Sequence, residues 1–264
     1  MTDDLQEKNA APLFAAQEAH PPGPLRLSVV TPMFNEAGGA GALVREIAAA
    51  LGDTDDVEII AVDDCSTDAT RDELLSAKKA IPTLRVLRHH ANAGQSRSLR
   101  TGVLAARAPV IATLDGDGQN DPADIAALWD ALTRAGAPAL LAMVAGERQK
   151  RQDSAAKRWA SRAANGIRAR ALNDGAADTG CGLKLFHRAA YLRLPYFDHM
   201  HRYLPALMRR EGFLVEYQPV GHRARLHGAS KYTNLGRLAV AFRDMLGVMW
   251  LNDRARSPID ISEL

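Results

Sequence analysis

The chain is poor in the features that mark secreted, membrane-spanning and polyanion-binding proteins. Its two cysteines, Cys65 and Cys181, stand far apart and in no C-x-x-C or metal-ligand spacing, which excludes a disulfide framework and fits free thiols in a reducing compartment. No run approaches the roughly 20 consecutive apolar residues that span a bilayer. The amino terminus has no basic-then-apolar leader, so the sequence points to a cytoplasmic chain, free or at a membrane surface. A formal net charge of +2 leaves no excess of one sign for binding nucleic acid. No G-x-G-x-x-G follows the first apolar segment and there is no P-loop, which removes the ordinary dinucleotide site and the NTPase phosphate loop. What is present is material for a core: 47% of the 264 residues are hydrophobic, enough for one large domain.

Residues 1–24 mix Asp, Glu, Gln and Ala with a Pro-Pro-Gly-Pro cluster from Pro21 to Pro24. That composition cannot offset the entropy of ordering and predicts a disordered N-terminal tail. From Leu25 onward, short β-branched runs alternate with helical spacing. Leu25 to Thr31 predicts a first strand, and Ala37 to Leu51 a helix with Leu43, Ile47 and Leu51 on one face. Val57 to Val62 predicts a second strand, followed by a helix from Asp68 or Ala69. Leu84 to Leu87 predicts a third, leading through His89 to Gly94 into a helix over Gln95 to Ala106. Val110 to Leu114 predicts a fourth, followed by a helix from Pro122 to Arg134, where a proline suits the first turn because its missing N–H would be unpaired there anyway. Four β-then-α units in succession predict an α/β fold with a mostly parallel sheet and helices on both faces.

Three of the turns that end these strands carry carboxylates: Pro32 to Glu36, Asp63 to Asp68 and Asp115 to Gln119. One acidic turn is an ordinary bend or cap. Three at the carboxyl edge of one parallel sheet make a site, because ligands of open α/β sheets bind in the crevice beyond that edge, among helix amino termini. The third turn is the most telling. Asp115 and Asp117 flank Gly116, alternate residues of an extended segment face one way, and two hard oxygen ligands side by side suit Mg2+ or Mn2+ carrying a diphosphate.

Taken in order, Val29-Val30-Thr31-Pro32-Met33-Phe34-Asn35-Glu36, Val62-Asp63-Asp64-Cys65-Ser66-Thr67-Asp68, Asn92-Ala93-Gly94 and Asp115-Gly116-Asp117-Gly118-Gln119 resemble the family 2 glycosyltransferases of GT-A (Rossmann-like) fold. Within that family the chain is most like the dolichyl-phosphate (polyprenyl-phosphate) mannosyltransferase branch, over about Leu25 to Leu251. The resemblance implies a nucleotide-sugar donor held by the first two turns, with Pro32, Phe34, Asn35, Glu36, Val62, Asp63 and Asp64 around base and ribose. Asp63 has a second reading, as a cap that supports the start of a helix. Asp115, Gly116 and Asp117 would meet the donor diphosphate, and Asp115, Asp117 and Gln119 the metal. Phe34 stands where many relatives carry Tyr, so no phenolic hydrogen bond is expected there.

The later half bears on the acceptor. Leu140 to Gly146 predicts a further strand, and Ala145-Gly146-Glu147-Arg148 matches the family's G-x-R turn, which implies that Arg148 lies near the donor phosphates. Residues 150–172 predict a helix dense in Lys and Arg with one tryptophan, Trp159; it suits anionic headgroups or lipid phosphate, or is a solvated face. Asp178 and Lys184, in a glycine-rich turn and short strand, are candidates for the sugar and acceptor pocket, as are His201 and Arg202 more weakly. Val215 to Val220 predicts the last strand. The loop after it resembles the family's R-x-x-G-x-S-K-Y, in which Arg225 and Lys231 converge on phosphates and neutralise the repulsion between acceptor and donor. Beyond it, apolar residues from Leu235 to Trp250 recur at three- and four-residue steps, ending in Arg254 and Arg256. They predict an amphipathic helix that packs on the sheet, forms a dimer contact or lies on the bilayer.

The expectation is a GT-A domain over residues 25–232 and a C-terminal amphipathic helix and tail over 233–264. The activity expected is that of an inverting, metal-dependent glycosyltransferase moving a hexose from GDP-mannose or a UDP-sugar to polyprenyl or dolichyl phosphate, with Asp115, Asp117, Arg225 and Lys231 as the catalytic set. It would work at the cytoplasmic face of a membrane, alone, as a homodimer or with a membrane partner subunit. A phosphate monoester is anionic at neutral pH, its second pKa being about 6, and needs little or no general base. A saccharide hydroxyl acceptor would need one, and no clear carboxylate stands in the later half. A nucleotidyltransferase and a non-catalytic nucleotide-sugar-binding protein are the other classes that the acidic turns admit.

Overall fold

The structure, a computed structural model, describes residues 25–52, 54–148, 172, 174–176, 178, 180–224 and 234–256. The N-terminal tail, all but the last residue of the basic helix expected over 150–172, and Arg225 and Lys231 lie outside the described residues.

Among the described residues, seven strands form one sheet: β1 (Leu27–Met33), β2 (Val57–Asp63), β3 (Leu84–Arg88), β4 (Val110–Thr113), β5 (Leu141–Arg148), β6 (Lys184–His187) and β7 (Leu214–Val220), in the order β3-β2-β1-β4-β6-β5-β7. Every pairing is parallel except those of β6, which runs against both β4 and β5. The mostly parallel sheet predicted from the βα repeats is present. Strand order reverses at β1, whose neighbours are β2 and β4, so the topological switch point, where ligands of such sheets bind, lies beyond the ends of β1 and β4.

Among the described residues, the helices are α1 (Ala40–Leu51), α2 (Thr70–Lys78), α3 (Gln95–Ala105), α4 (Asp124–Thr133), the short α5 (Arg188–Leu192), α6 (Leu204–Arg210) and α7 (Asn234–Asp253), with a 3-10 turn at Met200–Arg202. Alternation along the strands divides the core in two. Val29 and Ile59 pack with Leu43 and Ile47 of α1, Leu74 of α2 and Leu128 of α4. Val30, Ile60 and Ile111 pack on the other face with Leu99 and Val103 of α3 and Leu207 of α6. Helix α1 starts three residues later than the periodicity predicts, because Ala37 and Gly38 form a turn whose amides are held by the Asp68 and Glu73 carboxylates instead of by the helix.

The amino-terminal edge of the sheet is closed by a buried charge network. Glu58 accepts from the Ser28 hydroxyl (2.7 Å), the Arg107 amide (2.7 Å) and the guanidinium groups of Arg85 (2.6 Å) and Arg107 (2.9 Å). Burial alone would raise its carboxyl, but these donors hold it below the ordinary value.

Helix α7 lies against α6 and the 3-10 turn. Val248 is fully buried, the Tyr203 hydroxyl donates to the Ala241 carbonyl (2.9 Å) and Arg210 Nε to that of Leu251 (3.1 Å). His199 Nδ1 is 3.0 Å from Asp244 Oδ2. The opposite face presents Phe242, Leu246, Met249 and Trp250 to solvent, Trp250 with 60% of its surface exposed. Among the described residues no helix is long and apolar enough to cross a membrane.

Candidate active site

The three acidic turns meet at the carboxyl edge, as the sequence predicts, and they are stapled to one another. Past β1, the Asn35 amide donates to the Ser66 hydroxyl (3.0 Å) and the Glu36 amide to the Thr70 hydroxyl (2.8 Å), while the Asn35 side-chain oxygen accepts from the Thr67 amide (2.8 Å). Asn35 and Cys65 both adopt left-handed backbone angles, φ 52° and 62°, a conformation that costs energy for side-chain-bearing residues and is sustained here by the cross-turn bonds. Pro32, Phe34, Asn35 and Glu36 are all partly exposed in this turn.

The second turn departs from the expectation in detail. Val62, predicted around base and ribose, buries its side chain completely against α3, so only its backbone reaches the turn. Asp63 is also fully buried and accepts from the Ser66 amide (2.9 Å), which closes the turn but does not cap a helix: α2 starts at Thr70, after Ala69, with no side-chain cap. Asp64 is buried too, and both of its oxygens are engaged. Oδ1 meets His89 Nδ1 (2.7 Å) and the Ala93 amide (2.9 Å), and Oδ2 accepts from Asn92 Nδ2 (3.0 Å) and the Gly94 amide (2.8 Å). The Asn92-Ala93-Gly94 turn is thus a receptor for a buried carboxylate, and it fixes the start of α3.

The third turn follows β4. Gly116 passes so close to the β1 exit that a β-carbon would lie 2.6 Å from the Pro32 carbonyl oxygen, which explains a glycine between the two aspartates. The Asp115 carboxylate is pressed against the backbone at Gly182, where a β-carbon would fall 2.3 Å from its Cγ. Gln95 Nε2, from the first residue of α3, donates to Asp115 Oδ1 (2.7 Å). Crowding by protein pushes the Asp115 carboxyl up, the nearby Asp117 carboxylate adds to that, and Lys184 and Arg148 oppose it. Asp117 Oδ1 accepts from the Gln119 amide (3.1 Å).

Among the described residues no three His, Cys, Asp or Glu side chains cluster to hold an ion. A divalent cation at Asp115 and Asp117 would therefore take few oxygens from the chain and complete its shell with diphosphate and water. That habit belongs to Mg2+ and Mn2+, and the hard donor set fits them.

Arg148 does lie beside this turn, but it is locked. Nε and Nη2 donate to the two oxygens of Asp178 at 2.5 and 2.8 Å, a bidentate pair that keeps the guanidinium charged. Lys184 is buried and donates to the Cys181 carbonyl; burial lowers its pKa, against the pull of Cys181 and Asp115. His201 Nδ1 lies 2.7 Å from the Ser96 hydroxyl, and burial holds its ring well below the usual value for protonation.

The loop leaving β7 arrives at the acidic turn from the other side. The Arg223 amide donates to the Gln119 carbonyl (2.9 Å) and Gln119 Nε2 to the Arg223 carbonyl (3.3 Å). The Arg223 guanidinium pairs with Asp121 (2.6 Å) and Glu46, and the Gly221 amide donates to Asp124 (2.8 Å). The Gln119 side chain, expected at the metal, is thereby turned to this loop. Gln95, Gly182 and Arg223 were not singled out as site residues, although Gly182 belongs to the glycine-rich turn expected at the sugar and acceptor pocket; their partners are distant in sequence.

The chain matches the family model described as Glycosyl transferase family 2 over residues 28–194. It is similar to the dodecaprenyl-phosphate galacturonate synthase of Rhizobium johnstonii, 35% identical over 234 residues, which cover 86% of this chain and 67% of that protein. It is also similar to the undecaprenyl-phosphate 4-deoxy-4-formamido-L-arabinose transferase of Edwardsiella ictaluri, 32% identical over 209 residues. That match covers 78% of this chain and 62% of that protein, so the chain spans less than two thirds of the latter's length. Two solved structures share the fold at 17% identity and a TM-score of 0.64. They are the glucosyl-3-phosphoglycerate synthase of Mycobacterium tuberculosis with Mn2+, UDP and glucosyl-3-phosphoglycerate, covering 94% of this chain and 84% of that one, and a mannosyltransferase of Pyrobaculum calidifontis with GDP-Man and Mn2+, covering 93% and 71%.

Proposed function

Because the chain belongs to glycosyltransferase family 2, we propose that it transfers a sugar, with inversion, from a nucleotide-sugar to a polyprenyl phosphate at a membrane surface. The observation that carries this reading is the meeting of the Asp115 turn with the turns after β1 and β2 at the switch point of the sheet. Both relatives are named for prenyl-phosphate acceptors, one for galacturonate and one for a formamido-arabinose. Neither name mentions mannose, and the sequence leaves the donor open between GDP-mannose and a UDP-sugar, so the donor panel must extend to uronic acids.

In this reading the turns after β1 and β2 would hold the nucleoside, and Asp115 and Asp117 would hold Mg2+ or Mn2+. The metal supplies charge stabilisation of the departing nucleoside diphosphate. The acceptor phosphate is already ionised at neutral pH, so the chain has to align it with the anomeric carbon rather than deprotonate it. Asp178, a carboxylate close to the site, has both oxygens on Arg148, which favours an acceptor that needs no base over a saccharide hydroxyl. Arg225 and Lys231 follow Arg223, whose backbone pairs with Gln119, and we assign them the screening of the two approaching phosphates. The exposed apolar face of α7 and the arginines beside it, Arg243 and Arg254, are the surface we assign to the bilayer.

The test is turnover of GDP-mannose, UDP-glucose, UDP-GlcNAc and UDP-galacturonate with undecaprenyl phosphate, with Mn2+ and with chelator. The expected outcome is metal-dependent label in the lipid fraction and release of a nucleoside diphosphate. Asp117→Ala should abolish it and Lys231→Ala should slow it at least about tenfold. Pyrophosphate release would point to a nucleotidyltransferase, and donor binding without turnover to a sensor; either result overturns the proposal.

A further inference from the structure

Gln95 is the first residue of α3 and has no place in the nucleoside or diphosphate contacts described above. Its amide nevertheless ends 2.7 Å from Asp115 Oδ1. The position of this residue is set from both sides. On one side the Asn92-Ala93-Gly94 turn is gripped by Asp64 through three donors. On the other, Ser96 is fully buried and bonded to His201. About two helical turns further on, Gly102 lets α3 lie directly on β1, where a β-carbon would come 2.3 Å from Val30 Cγ1. The Gln95 backbone therefore cannot drift, and its side chain projects from a fixed point.

The carboxylate it meets is confined as well, by the Gly182 backbone. Between them, an amide donor and a missing side chain set the orientation in which Asp115 is seen. The chemistry of the donor matters. A lysine or arginine here would neutralise the carboxylate and compete with a cation for it, whereas a neutral amide directs one oxygen and leaves the charge in place.

We infer that Gln95 is a positioning residue: it holds Asp115 in the orientation that receives the divalent cation, and ties that orientation to the Asp64-gripped turn beside the nucleoside site. The inference rests on the metal-holding reading of Asp115 and Asp117, and the experiment separates the two. Mn2+ binding is followed by the loss of the free-ion electron paramagnetic resonance signal, in the presence of UDP and in parallel GDP, for the full chain and for Gln95→Met, which keeps length and removes the donor. The half-saturating Mn2+ concentration is expected to rise by roughly five- to tenfold in the variant with the thermal midpoint unchanged. On an Asp115→Asn background the same exchange should shift it by less than about twofold, because a residue acting only through Asp115 has nothing left to orient. Coincident curves for the full chain and Gln95→Met would overturn the inference alone. So would a matching fall in thermal midpoint, which would make Gln95 a folding residue, or an undiminished shift on the Asp115→Asn background. Failure of the unsubstituted chain to bind Mn2+ with either diphosphate would overturn the metal reading and this inference together.

Discussion

At the scale of single residues, the site depends on side chains that are absent as much as on those that are present. Gly182 lies so near Asp115 that no β-carbon fits without moving the carboxylate. Gly182→Ala should therefore lower turnover by about a hundredfold, the cost of displacing a reacting constellation by about an ångström, while the thermal midpoint moves by only a few degrees; near-normal turnover would show that Asp115 tolerates displacement. Nothing in the sequence around Gly182 distinguishes this glycine from its neighbours at 175 and 180, because the atom it avoids belongs to a residue brought in by β4. The same limit applies to Gln95. By contrast, Asp115 and Asp117 were legible as two carboxylates beyond a strand end, although not by strand alternation: β4 stops at Thr113 and Gly116 and Asp117 form a turn, which still leaves the Asp117 carboxylate near that of Asp115. Asp64 was legible as important but not in its role: four donors from His89 and the 92–94 turn surround it, and that arrangement requires knowing that β2 and β3 are neighbours.

At the scale of elements, the parallel strands were readable because each is a short β-branched run between a helix and a polar turn, and the turns carry the chemistry. Strand β6 was visible as a strand, but its direction was not, since a four-residue run has no polarity of its own and takes it from pairing with β4 and β5. The strands on the nucleoside side are held together at their amino ends by Glu58, which joins β1 through Ser28, β3 through Arg85 and the approach to β4 through Arg107. Because the folded-state pKa of Glu58 is depressed, its contribution is complete above the unfolded-state value of about 4.3 and is lost as pH falls through the lower folded value. Glu58→Gln should cost about 3 kcal/mol at pH 7, where it leaves the partly buried guanidinium groups of Arg85 and Arg107 without their counter-charge, and the gap to the unsubstituted chain should narrow below about pH 4. Denaturant melts at pH 7 and pH 3.5 measure both; an equal gap at the two pH values would mean that Glu58 acts by packing alone.

At the scale of the whole molecule, the three uses the sequence left open for the last helix are narrowed by its packing. Val248 and Asp244 hold one side of α7 to the domain, while Phe242, Leu246, Met249 and Trp250 form an outward stripe with Arg243 and Arg254 alongside. Flotation with vesicles containing phosphatidylglycerol should recover the chain. The Phe242→Glu, Trp250→Glu double variant should bind at least about tenfold more weakly, since burial of either ring is worth roughly 1.5–3 kcal/mol; undiminished flotation would move the contact elsewhere. The reversed strand has a wider consequence. Since Lys184, the first residue of β6, pairs with Thr113, the last of β4, whatever enters β6 overhangs Asp115, and whatever leaves it, from Arg188, emerges at the far rim. Insertions between β5 and β6 are therefore delivered to the edge that carries the acidic turns, so that edge can be rebuilt by lengthening one connection while the six co-directed strands stay as they are.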